Sequence, residues 1–250
     1  MFSGTLWFWR SGLVRAVMQL KDCPAETAVG LLEDLENRGT SIQVAYGLLQ
    51  AWAGERLLVD KSPPSSLDLG TLQRAEHYFQ DTRYIHLVRH PAAAVRSYEN
   101  VGMHNFIEPF FSTVPSGSPR ALAEMTWAVS QQNIVSFLQQ VPPERQHRVR
   151  FEDLLGDSRG TLERLCRFLD KPFHPDLLTP HADPPRRMTD GLHPRGAMLG
   201  DPLFNRHKQV DAAMATQWQA SASPVELSPI TWRLAHDLGY AVAGPEAGST

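Results

Sequence analysis

Apolar positions recur at helical spacing in the first part of the chain and gather into short runs after it. Leu13, Val14 and Met18, then Leu31, Leu32 and Leu35, predict two helices parted at Pro24, the second stopping at Gly39. Ser41 is placed to cap a third helix that carries Ile42, Tyr46, Leu49 and Trp52. Three apolar runs of strand length follow, each ending in polar residues. Arg56 to Val59 leads into Asp60-Lys61-Ser62-Pro63, Tyr84 to Val88 into Arg89-His90-Pro91, and Arg148 to Phe151 into Glu152-Asp153. Helical patterns separate the runs. The expected fold class is therefore α/β, a parallel sheet flanked by helices. In such sheets ligands bind beyond the carboxyl ends of the strands, where these polar residues would lie.

Ser118-Pro119 opens another predicted helix, with proline at its first position, running to about Gln140. Leu162, Leu165, Cys166 and Leu169 mark one face of a further amphipathic helix. After Pro172 the pattern is irregular through about Asn205. A last helix is expected near Leu227 to Leu238, ended by Gly239. Between Gly102 and Pro119 lies a loop rich in Phe, Pro, Ser and Gly, long enough for a flap or a substrate-side wall. The organisation expected is one domain over 1–240 and a flexible tail over 241–250, with no internal repeat.

Composition narrows the function classes. With 42% hydrophobic and 20% charged residues among 250, wholesale disorder is excluded. A net charge of −3 argues against a nucleic-acid partner but leaves room for a local basic pocket that takes a phosphorylated small molecule. Two cysteines, Cys23 and Cys166, make neither a disulfide framework nor a zinc cluster, and no metal is expected. No apolar run approaches the ~20 residues of a membrane span. The start of the chain, with Arg10 and Arg15 breaking the aromatic run Leu6-Trp7-Phe8-Trp9, does not read as a signal peptide but as a helix with an aromatic face. A cytoplasmic setting is the expectation. Of 24 basic side chains only four are lysines, Lys21, Lys61, Lys171 and Lys208, so a lysine at a predicted strand end draws notice.

The segment richest in chemistry is Arg89-His90-Pro91-Ala-Ala-Ala-Val95-Arg96-Ser97-Tyr98. A strand delivers Arg89 to the ligand-binding edge, and Pro91 starts a helix whose first N–H groups favour an anion. An arginine fork and a serine hydroxyl together suit a phosphate. The same residues also suit a plainer arrangement, an ion-paired strand-end arginine and a helix-surface serine.

Arg, one residue, Pro, and Ser eight positions after the Arg resembles the 3′-phosphate-binding segment of sulfotransferases that use 3′-phosphoadenosine 5′-phosphosulfate. Val59-Asp60-Lys61-Ser62-Pro63 resembles their second strand and loop, where a lysine approaches the transferring sulfuryl group. Val149-Arg150-Phe151-Glu152-Asp153-Leu154-Leu155 resembles the Tyr-Glu-Asp-Leu block near the adenine, with Phe for Tyr. Arg195-Gly196 through Gly200-Asp201-Pro-Leu-Phe204 resembles, more loosely, the late loop that closes over the 3′-phosphate. The resemblance spans about Leu57 to Tyr240. It is nearest to the bacterial subgroup that includes sulfotransferase domains of polyketide synthases, which act on a β-hydroxyl of a carrier-bound acyl chain. It implies a fold like that of P-loop nucleotide-binding proteins, the phosphosulfate nucleotide as co-substrate, and a small-molecule or carrier-bound hydroxyl acceptor. The cofactor residues implied are Arg89, Ser97, Phe151, Arg195 and Gly196. Lys61 is implied at the sulfuryl group.

The general base is open. In the cytosolic enzymes it is a His two residues after the lysine, a position that here is Pro63. His193 is the first candidate and His104 the second, while His86 and His90 read as structural. A Glu or His upstream is a further possibility. The family's opening loop, Pro-x-Ser-Gly-[Ser/Thr]-Thr, has no counterpart; Ser3-Gly4-Thr5 and Arg10-Ser11-Gly12 lack the context. The chain is therefore expected to start after that loop, lacking the family's first strand, and on its own to be poorly soluble and inactive. Two alternatives follow: an inactive remnant serving as a binding module, and a related phosphotransferase, which would need a Gly-rich Lys loop. Phe106, Phe110 and Phe111 in the flap favour an apolar or acyl acceptor.

Overall fold

A computed structural model describes residues 7–102, 118–180, 182, 210–220 and 225–241, apart from the side chains of 7–11, 218 and 220. Contacts divide these residues into two compact units. One holds the described residues up to Lys61 together with those of 179–209; the other holds Ser62–Leu178 and the described residues from Val210 onward.

The first unit contains helices α1 (Trp7–Lys21), α2 (Ala25–Asn37) and α3 (Ile42–Ala53). Val14 and Val17 of α1, Ala28 of α2 and Leu49 of α3 meet in a core flanked by Leu31, Leu32 and Trp52. The helix boundaries follow the predicted punctuation. Gly39 follows α2 at φ +65°, a left-handed conformation that suits glycine. Ser41 caps α3, its hydroxyl accepting the Val44 N–H at 3.4 Å.

Residues 56–59, expected as a strand, are not one. Gly54 turns the chain off α3 at φ +61°. Gln50 Nε2 donates to the carbonyls of Gly54 and Arg56, at 2.9 and 3.2 Å, so the turn is held by helix side chains. Leu58 packs onto the helical core, while Val59 is 74% exposed. An apolar run becomes a strand only where a neighbour takes up its backbone groups, and no described strand pairs with this one.

The second unit is built on a parallel pair, β1 (Tyr84–Val88) and β2 (Gln146–Arg150), in register from Tyr84 opposite Gln146 to Val88 opposite Arg150. Its further helices are α4 (Leu69–Tyr78), α5 (Pro91–Asn100), α6 (Pro119–Leu138), α7 (Phe151–Gly156), α8 (Ser158–Phe168) and α9 (Pro229–Asp237). Two Ser-Pro pairs, at 118–119 and 228–229, open helices of this unit. Ser118 caps α6 by accepting the Ala121 N–H at 3.2 Å, and Ser228 caps α9 by accepting that of Thr231 at 3.3 Å. The last helix therefore begins two residues later than its apolar pattern suggests.

Side chains of β1 alternate. His86 and Val88 are buried, and Ile85 and Leu87 are 39% and 54% exposed. The buried face meets α6, whose Gln131 Oε1 lies 2.7 Å from His86 Nε2. Burial on both faces, expected of a helix-covered parallel sheet, therefore holds for one face of β1 among the described residues. Val88, Ala94, Trp127, Leu234, Ala235, Leu238 and Tyr240 form the core of this unit. Three consecutive alanines, Ala92 to Ala94, let the start of α5 bury completely.

Candidate active site

The two ends of the parallel pair differ in chemistry. At the amino end, Arg145 reaches both oxygens of the Glu76 carboxylate and the Thr82 carbonyl, and the Tyr84 hydroxyl donates to Glu76 Oε2 at 2.7 Å. The hydrogen bond from Arg145 holds the Glu76 carboxyl below its usual range. Each polar group in this knot has a partner, so it reads as a structural tie.

At the carboxyl end the chain turns from strand to helix on each side. Arg89 follows β1, and His90 is the N-cap of α5, its Nδ1 accepting the Ala92 N–H at 3.3 Å. Pro91 stands at the first helical position and confines His90 to an extended backbone, φ −49° and ψ 130°. Phe151 follows β2 and opens α7. The strand register makes these two turns neighbours. Arg89 Cζ lies 4.5 Å from the Phe151 ring centroid, a cation–π contact that brings together two of the residues singled out in the sequence.

Beneath this pair lies a polar network that sequence reasoning did not assign. Glu152 Oε1 accepts the His90 N–H and Oε2 accepts the Tyr240 hydroxyl, each at 2.9 Å. Arg150 Cζ lies 4.4 Å from the Tyr240 ring centroid. The His90 imidazole meets Trp232 and Tyr240 edge-on, at 5.8 and 5.3 Å. Trp127 Nε1 donates to the Arg89 carbonyl at 3.0 Å. Glu152 stood in a recognised sequence block, and a carboxylate just past a strand end was a signal in plain view. Trp127 reaches the site from α6 and Tyr240 from the chain just after α9, and no local pattern marks them.

Ser97 lies in α5, seven residues after His90, hence two turns along the same helix face, and is half-buried. Lys61 belongs to the other unit, where it is exposed. Its neighbour Asp60 accepts a hydrogen bond from the Tyr46 hydroxyl; burial, then that bond and the carboxylate charge, push the Tyr46 phenol well above its usual range. His193, Arg195, Gly196, His104, the three flap phenylalanines and the tail 242–250 lie outside the described residues. Among the described residues no three His, Cys, Asp or Glu side chains cluster in a way that could hold a metal. No helix among them is long and apolar enough to cross a membrane.

Burial lowers the His90 pKa from 6.5 to about 4; the Arg150 charge works in the same direction and Glu152 against it. Burial depresses His86 and His147 as well. Between pH 6.5 and 4 the unfolded chain takes up a proton at His90 that the folded chain refuses. The stability due to neutral His90 is therefore whole above about pH 6.5 and is lost as pH falls toward 4. The expected loss is about 1–2 kcal/mol, reduced from the full shift for water reaching the loop. His90→Asn keeps an N-cap acceptor without a titrating ring. Its melting temperature should fall less steeply over this range than that of the wild type, and an equal slope would assign the acid sensitivity to other groups.

The sequence profile of the sulfotransferase family matches residues 12–175. Among solved structures, the sulfotransferase domain from the curacin biosynthetic pathway is similar at 38% identity and a TM-score of 0.84. That match covers 93% of this chain and 80% of that one. The sulfotransferase domain from the Synechococcus PCC 7002 olefin synthase is similar at 34% identity and a TM-score of 0.78, over 93% of this chain and 76% of that one. A comparison with curated protein sequences returns no match. The chain belongs to the sulfotransferase family.

Proposed function

We propose that the protein transfers a sulfuryl group from 3′-phosphoadenosine 5′-phosphosulfate to the hydroxyl of an acyl chain held on a carrier protein. The observation that carries the donor assignment is the pairing of Arg89 with Phe151 at the carboxyl edge of the parallel pair. It supplies a fixed cationic fork beside an aromatic ring, which suits a phosphorylated nucleoside. In this reading Arg89 and Ser97 hold the 3′-phosphate and Phe151 adjoins the adenine. Arg195 and Gly196 close over the nucleotide.

The acceptor oxygen attacks sulfur while the bond from sulfur to the bridging phosphate oxygen breaks. The bonding electrons leave with adenosine 3′,5′-bisphosphate, and the hydroxyl proton passes to a base, assigned to His193. Lys61 faces the charge that develops on the bridging oxygen. Similarity to domains from a curacin pathway and an olefin synthase supports an acyl acceptor. The free thiols Cys23 and Cys166 suit a reducing, cytoplasmic setting.

The test is transfer from the phosphosulfate donor to a β-hydroxyacyl carrier protein, followed by the mass of the acyl chain. The expected product is heavier by one sulfuryl group. Sulfation of polysaccharides with none on the carrier-bound chain would remove the acceptor assignment.

A further inference from the structure

The carbonyl of Arg89 and the N–H of His90 belong to one peptide unit. In a planar trans peptide these two groups point to opposite sides. Trp127 Nε1 donates to the carbonyl at 3.0 Å from α6, and Glu152 Oε1 accepts the N–H at 2.9 Å from α7. One peptide is thus gripped from both sides by side chains of two helices. Both anchors are themselves fixed. Trp127 is 4% exposed and sits in the hydrophobic core. The second carboxylate oxygen of Glu152 is occupied by the Tyr240 hydroxyl at 2.9 Å, and Tyr240 is 3% exposed.

A strand that leaves its ladder normally gives these backbone groups to water or to the next element. Here they set the rotation of the peptide plane directly after Arg89. That rotation fixes ψ of Arg89, while Pro91 restricts His90 on the other side. The direction in which the Arg89 side chain leaves the backbone is determined by this arrangement, before any contact of its guanidinium.

We propose that Glu152 and Trp127 are positioning residues for recognition of the donor's 3′-phosphate, acting by holding the Arg89–His90 peptide so that the guanidinium meets the phosphate with its fork. The inference rests on the reading of Arg89 as the 3′-phosphate ligand. It adds that the preference for that phosphate depends on two side chains that do not touch the nucleotide.

The experiment measures dissociation constants of adenosine 3′,5′-bisphosphate and adenosine 5′-phosphate by calorimetry. The ratio of the two constants reports the 3′-phosphate alone. Glu152→Ala removes the acceptor for the His90 N–H, Glu152→Gln retains one, and Trp127→Phe keeps an aromatic ring without its donor. We expect Glu152→Ala and Trp127→Phe each to reduce the ratio about five- to tenfold, and Glu152→Gln to keep it within about twofold. In an Arg89→Ala background neither change should reduce the ratio further, because the effect runs through Arg89.

If both variants weaken the two nucleotides equally and leave the ratio intact, the residues only support the fold and the inference is overturned. Should Glu152→Ala fail to fold, Trp127→Phe and its Arg89→Ala double variant decide the matter alone. A wild-type protein with no preference for the bisphosphate, or a preference that survives Arg89→Ala, removes the underlying reading of Arg89 and the inference with it.

Discussion

Arg89→Ala is expected to weaken binding of adenosine 3′,5′-bisphosphate by a factor of roughly 100. A charge-assisted bond to phosphate contributes about 1.5–3 kcal/mol, a factor of roughly 10–150 in affinity, and a forked pair lies toward the upper end. The same substitution removes the contact with the Phe151 ring, worth about 0.5–1 kcal/mol at a partly exposed site. Melting should therefore shift by a few degrees while binding weakens far more. Arg89→Lys separates charge from shape, since an ammonium keeps the charge and loses the fork. It should bind the nucleotide between the wild type and the alanine variant. Ser97→Ala removes one neutral hydroxyl and should cost about 1 kcal/mol, near fivefold in affinity. Unchanged binding in Arg89→Ala would leave this arginine a structural side chain at a strand end, packed on Phe151.

What could be read from the sequence around this site was local. Tyr84 to Val88 is a strand, and its end at Arg89 is marked by a proline two residues on, which can begin a helix but not continue a ladder. Ser118-Pro119 announced a helix start for the same reason, with a hydroxyl to cap and a ring pre-set for the first turn, whereas at Ser228-Pro229 the apolar pattern from Leu227 obscured the same device. Arg56 to Val59 looked equally strand-like, and here local reading failed. Strand formation depends on a partner for the backbone, and four residues carry no information about one. Gln50 and the Gly54 turn settle that segment instead.

The supports of the site were illegible for a related reason. Trp127 lies 38 residues from the carbonyl it binds, and Tyr240 lies 88 residues from Glu152. Trp127 has the sequence environment of an ordinary core aromatic, and its indole N–H acquires a particular role only when α6 lies against β1. His90 shows the converse. Its place beside Pro91 indicated a structural residue, and the structure makes it a neutral N-cap packed between Trp232 and Tyr240.

Lys61→Met should lower sulfuryl transfer by a factor on the order of 10²–10³, the loss typical of removing one donor to charge that develops in the transition state. The methionine keeps most of the apolar stem. Because Lys61 is exposed and the first core is formed by α1 to α3 with Leu58, folding should be unaffected. The way the loss divides between constants is the sharper test. An ammonium that only attracted the anionic donor would contribute equally to ground state and transition state, and its removal would raise KM with kcat unchanged. One that meets the bridging oxygen as the sulfur–oxygen bond breaks contributes mainly at that moment, so kcat should carry most of the fall. Lys61→Arg retains the charge but spreads it over a plane, and should recover donor binding better than turnover. Near-normal kcat in Lys61→Met would make this lysine a solvated surface side chain. The developing charge would then have to be met by another cation.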